Sequence, residues 1–251
     1  MSLSERSVPP GYYRHGGFPV AVKWLLISNT ALFVVYFLLV QSGFGRAFHY
    51  FGLVPAHVIQ IWGLPQLVTY MFLHDPLGFA HILFNMLTLW MFGADLERAW
   101  GTRRFLQYYF VCGVGAGICS VVGNLFFGEM YSRTIGASGA IYGLLLAYGV
   151  LWPTRTVLFS FLFPIQARYF VLIIGAIAFL STLGASGSNV SHVAHLGGMV
   201  FGYFYLKSRF LNVNMLGSLR QQYREWRLQR ARRKFQVYLR KHHGPRDPRV
   251  H

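Results

Sequence analysis

The sequence predicts an all-α polytopic membrane protein, a bundle of six transmembrane helices followed by a basic tail. Three observations predict it. The chain is 54% hydrophobic and only 12% charged over 251 residues, where a soluble domain carries about 25% charged residues. Apolar runs of membrane-spanning length recur between Val20 and Lys207. Charge is also segregated. Of the 23 lysines and arginines, thirteen lie from Lys207 onward, against two acids there, Glu225 and Asp247.

Residues 1–19 form a short polar start containing Pro9, Pro10 and Gly11. Residues 20–208 form the membrane domain, and residues 209–251 the tail. Span one is Val20–Ser42, and nothing resembling a cleavable signal site follows it. The connection from Gly43 to Gly78 holds Trp62, Tyr70 and Phe72. It is too apolar for a solvated loop, which predicts partial helix lying in the outer interface. Spans two and three follow at Phe79–Leu96 and Phe105–Phe127. Span four runs from Gly136 to Trp152, where Pro153 ends it. Thr154–Ala167, with Pro164, reads as an interfacial connection. Spans five and six are Arg168–Leu183 and Val193–Leu206, joined by a turn-rich G-A-S-G-S-N loop.

Lysine and arginine set the orientation. With the N-terminus inside, the outer loops hold only Arg46 and Arg133. Both termini are therefore expected in the cytoplasm. The tail, with Leu219, Tyr223 and Trp226 among its arginines, reads as an amphipathic helix on anionic lipid. No base-reading motif accompanies the charge, so nucleic acid is not an expected partner. Cys112 and Cys119 are seven residues apart in one expected helix, about 10 Å along its axis and too far for a disulfide.

This topology brings chemistry to one layer. Spans two, four and six run in the same direction, so their first turns share a depth. Those turns carry His81 and Asn85, then Ser138, then His192 and His195. Polar groups converging within a membrane domain signal a functional site. Ser138 lies between Gly136 and Gly139 at the head of an apolar run, placed as a nucleophile that needs a base. His195 is the imidazole for that task. Ala194, Gly198 and Gly202 on span six, with Gly139 and Gly143 on span four, give the small-residue spacing for close helix packing. Tyr142, four residues after Ser138, shares its face and can pack on the imidazole. The Ser138 backbone N–H, His81 and Asn85 are candidate oxyanion donors. No acid lies within spans four to six, so a Ser–His dyad is expected, with Asp75 the one acid placed near it. His192 reads as an interfacial histidine, His74 as a structural hydrogen-bonding residue, and Gly93–Glu97–Gly101 as a pattern that pins a loop.

These residues resemble a rhomboid intramembrane serine protease. The resemblance rests on H-I-L-F-N at His81–Asn85, G-A-S-G at Gly136–Gly139, Tyr142, A-H-L-G-G at Ala194–Gly198, and the Gly93–Glu97–Gly101 pattern. It extends over Val20–Leu206. It implies a six-helix rhomboid-like bundle with Ser138 as nucleophile and His195 as base. It also implies His81, Asn85 and the Ser138 N–H as the oxyanion site. Substrates would be transmembrane proteins cleaved in or beside their membrane segments, with no cofactor and no metal. The expected location is the inner membrane of a bacterium. Two other readings remain at this level. One is a catalytically silent rhomboid-like protein that binds membrane helices. The other is a metal site or transporter built on His74, His81, His192 and His195.

Overall fold

The computed structural model describes residues 17–127, 130–159, 163–183, 192–208, 227, 228 and 230. Two compact units divide the chain, Met1–Tyr205 and Leu206–His251. Within the second, residues 206–208, 227, 228 and 230 are helical. The proposed amphipathic tail helix otherwise lies outside the described residues, as do the polar start up to residue 16 and most of the loop before span six.

The first unit is built from helices. α1 (Val20–Gln41) is 22 residues long, about 33 Å at 1.5 Å per residue. That matches a hydrocarbon layer of about 30 Å. The connection after it is partly helical, as expected: a 3₁₀ turn at Gly45–Phe51, α2 (Pro55–Ile59), α3 (Gln66–Thr69) and a second 3₁₀ turn at Tyr70–Phe72. It leaves Phe44, Tyr50, Ile61 and Trp62 exposed, the kind of surface a lipid interface accepts.

Span two comprises α4 (Phe79–Thr88), a π-helical turn at Leu89–Gly93, and α5 (Ala94–Trp100). It continues one turn past the predicted end at Leu96. The polar residues there do not stop it, because Glu97 is used. Both carboxylate oxygens of Glu97 accept from the first turn of α1, Ala21 N at 2.9 Å and Val22 N at 2.9 Å. The Thr102 hydroxyl donates to the same carboxylate at 2.6 Å. A helix N-terminus has orphan N–H groups and a positive dipole end, and a buried carboxylate answers both. The sequence pattern thus pins a helix start rather than a loop. Gly101, at φ 79°, then ends α5 in the left-handed region. Glu97→Gln keeps the shape but turns an N–H group toward an α1 donor. A stability loss of about 2–4 kcal/mol is expected, read as a lower melting temperature in detergent. An unchanged melting temperature would contradict this capping role.

α6 (Thr102–Phe127), α7 (Ser138–Leu151) and α8 (Ala167–Leu183) follow, then α9 at residues 192–208. Between α7 and α8 the all-α expectation fails locally. β1 (Thr156–Phe159) and β2 (Phe163–Gln166) pair antiparallel, with Val157 opposite Ile165 and Leu158 opposite Pro164. β-Branched and aromatic residues favour extended backbone, and Pro164 is barred from a helix interior. Val157 packs in a buried cluster with Phe92, Leu145, Tyr148, Ala167 and Val171.

Among the described residues three helices are long and apolar enough to cross a membrane: Val20–Gln41, Phe79–Trp100 and Thr102–Phe126. Ser138–Leu151 and Ala167–Thr182 are shorter apolar helices. Trp24, Leu38, Phe84, Phe126, Leu172 and Leu180 are exposed on these helices. So much outward-facing apolar surface suits lipid and not water.

Candidate active site

α6, α7 and the α9 segment up to Tyr205 meet through small residues. A Cβ on Gly198 would fall onto the carbonyl oxygen of Gly139, and one on Gly143 onto the sulfur of Cys112. Gly197 faces Cys119 and Ala116, and Gly202 faces the Tyr108 hydroxyl. Tyr108 donates to the carbonyl of Gly143 at 2.8 Å. The glycine stripe seen in the sequence is therefore a backbone-to-backbone contact. Cys112 and Cys119 are free thiols that pack in it.

This contact sets the distance between α7 and α9 at their matching ends. Ser138 is the first residue of α7. Its Oγ lies 2.7 Å from Nε2 of His195. With the imidazole proton on Nδ1, the hydroxyl donates to Nε2, the arrangement a nucleophile–base pair requires. The Tyr142 ring stacks on the imidazole, centroids 4.1 Å apart and planes 4° from parallel. That contact holds the ring plane. His192 stands edge-on to His195 at 5.9 Å.

Nδ1 of His195 has no hydrogen-bond partner among the described residues. The acids described are committed elsewhere. Glu97 caps α1, Asp95 pairs with Arg155 at 2.9 Å and Arg98 at 3.3 Å, and Asp75 Oδ1 accepts from Leu77 N at 3.0 Å. Asp75 lies close enough for its charge to act on His81. The acid anticipated near the site thus bears on His81, a candidate oxyanion donor.

The segment ahead of α7 is fixed from both sides. Thr134 and Leu53 exchange backbone hydrogen bonds at 2.9 Å, and the Ser120 and Thr134 hydroxyls meet at 3.2 Å. Gly136 N donates to Tyr70 O at 2.9 Å, and the Tyr70 hydroxyl donates to Gly113 O at 2.7 Å. None of these anchors carried a signal in the sequence. Gly136 adopts φ +120°, a backbone only glycine takes without strain. The position a Cβ would occupy there is 2.9 Å from Nε2 of His81 and 3.8 Å from Oγ of Ser138. A side chain at position 136 would therefore crowd the His81 ring, which glycine avoids.

Asn85 sits one turn along α4 from His81 and is buried. Its side-chain amide donates to His81 O at 2.9 Å, so one of its two N–H groups is engaged within its own helix. His74 is fully buried. It was expected to be a structural hydrogen-bonding residue, but neither ring nitrogen has a partner among the described residues. Its ring instead lies 5.1 Å from that of His81. Burial, followed by the neighbouring His81, pushes the His74 pKa down to about 3, so it is neutral at ordinary pH. Among the described residues no group of three or more His, Cys, Asp or Glu side chains is placed to hold a metal ion.

Residues 59–211 match the rhomboid domain. Rhomboid protease GluP of Bacillus subtilis is 35% identical over 139 residues, covering 55% of this chain and 25% of that protein. Rhomboid protease GlpG of Haemophilus influenzae is 29% identical over 178 residues, covering 70% of this chain and 85% of that protein. The human presenilin-associated rhomboid-like protein is 32% identical over 128 residues, 50% of this chain and 33% of that one. The matched region thus spans a quarter to a third of two of these relatives and most of the other.

Proposed function

The chain belongs to the rhomboid family of integral membrane proteins, and from that premise we propose that it is an intramembrane serine endopeptidase using a Ser138–His195 dyad. The observation that carries the reading is the 2.7 Å contact between Ser138 Oγ and His195 Nε2. In this reading Ser138 Oγ attacks the scissile carbonyl carbon and its proton passes to Nε2. The oxyanion forms beside Gly136, where the Ser138 N–H, the His81 ring and the remaining Asn85 N–H are the donors. The intermediate collapses as His195 gives its proton to the leaving amine. Water then attacks the acyl-enzyme, His195 takes the water's proton, and the serine is restored. Neither step calls for a cofactor.

The depth of the site follows from helix length. α7 has 14 residues, about 21 Å of rise, against about 30 Å of hydrocarbon. A helix that short, reaching one face of the bilayer, starts below the other. Its serine would lie in a polar cavity beneath the surface, where irregular backbone such as residues 134–137 is tolerated only if protein or water lines it. The finer topology belongs to the same reading: six spans, both termini cytoplasmic, in a bacterial inner membrane. So does the basic tail on anionic lipid. Substrates would be membrane proteins entering laterally and cleaved in or beside a transmembrane segment.

The test is cleavage of single-span proteins reconstituted with this chain in liposomes. Ser138-dependent cleavage within or next to the span is expected. Cleavage that persists in Ser138→Ala would end the reading. A silent helix-binding protein of the same fold would bind such substrates without turnover.

A further inference from the structure

We propose that His74 is a positioning residue for His81, holding the ring so that Nε2 stays beside Gly136 and Ser138. The inference rests on the proteolytic reading and adds a role for a side chain outside the dyad and its oxyanion donors. His74 and His81 come from different segments, the connection before α4 and the first turn of α4. Their rings are 5.1 Å apart and tilted by 59°, close enough that His81 cannot swing toward His74. On the other side, Nε2 and Cε1 of His81 stand 2.9 and 3.0 Å from where a Gly136 Cβ would be. Glycine has no atom at that position, so the ring is limited on the His74 side and open on the Gly136 side.

The chemistry of His74 points the same way. It is completely buried, and neither nitrogen has a partner among the described residues. Filling that space with an apolar ring would avoid the desolvation penalty of two unsatisfied nitrogens. An imidazole is favoured there only if it serves a polar neighbour, and the ring against it is His81. A neutral imidazole offers one N–H and one acceptor. A small rotation or one intervening water lets it bond the His81 nitrogen that does not face Gly136. Asp75 also bears on His81, but its Oδ1 is held by the turn at Leu77. The ring contact to His81 therefore comes from His74.

The experiment is a double-mutant cycle on the full chain in proteoliposomes, with His74→Phe, His81→Ala and the pair. Phenylalanine keeps the packed ring and removes both nitrogens. His74→Phe is expected to lower kcat by about ten- to a hundredfold with KM unchanged and with no drop in melting temperature. In the His81→Ala background it should have no further effect. His74→Asn, which restores a donor and an acceptor, should recover part of the rate. Wild-type kcat in His74→Phe would overturn the proposal, as would an equal loss in both backgrounds. Ser138→Ala in the same assay separates the two claims. If it is active, the proteolytic reading fails. If it is dead while His74→Phe is normal, only the role of His74 fails.

Discussion

Ser138→Ala and His195→Ala should each abolish cleavage to the same degree, and the double variant should be no worse than either. The two side chains form one hydrogen-bonded unit at 2.7 Å. Removing the base leaves a hydroxyl that does not ionise near neutral pH, and removing the hydroxyl leaves the base nothing to activate. A loss of at least about 10⁴-fold in kcat is expected for each. Tyr142→Ala should cost much less, because it removes the ring stacked on His195 but leaves the dyad chemistry intact. Steady-state kinetics on one transmembrane substrate would check all four variants. Multiplicative losses in the double variant would mean that the two residues act separately. His192→Ala should retain activity, because His192 only edges the His195 ring.

Gly198→Val should be the most damaging change that touches no reacting group. The Cβ of any residue at 198 would meet the backbone carbonyl of Gly139, and a carbonyl in a packed helix cannot rotate away as a side chain can. α9 would have to move off α7 by an ångström or more. His195 lies one turn from Gly198, and Ser138 adjoins Gly139, so the displacement acts directly on the dyad. A misplacement of about 1 Å can cost about 10²-fold in rate. Overpacking a core commonly costs about 1–3 kcal/mol. Gly198→Ala should therefore lose about a hundredfold in cleavage with a lower melting temperature, and Gly198→Val should fail to fold. Gly175→Ala is the control. Its Cβ would meet only the flexible end of Met199, at 3.3 Å, and both readouts should stay near those of the parent chain. Equal tolerance at 175 and 198 would contradict the packing argument.

What the sequence disclosed, and what it did not, follows from the range of each interaction. α1 and α6 were visible because twenty or more apolar residues in a row leave few alternatives. The Ser138–His195 contact was legible because the expected topology puts the heads of spans four and six at one depth, and the glycines at 139, 143, 198 and 202 then call for close contact. Tyr142 followed from helical spacing. Glu97 was misjudged because its partners, Ala21 and Val22, lie 76 and 75 residues away and are backbone groups, which carry no side-chain signature. The hairpin at Thr156–Gln166 was missed because a short apolar run does not reveal its period. Asp75 was placed near the site and His74 read as a structural hydrogen-bonding residue, but which groups they face depends on how the connection folds. Tyr70 anchors Gly136, and Leu53 anchors Thr134, through main-chain bonds that no residue pattern announces.

The central claim is that the hydroxyl at position 138 is activated by the imidazole at position 195. It is tested most directly by exposing the folded protein to a fluorophosphonate and locating the adduct by mass spectrometry. The account predicts one adduct, on Ser138, absent from Ser138→Ala and lost in a folded His195→Ala variant. Labelling of Ser138 at the same rate without His195, or labelling elsewhere while Ser138 stays unmodified, would contradict it.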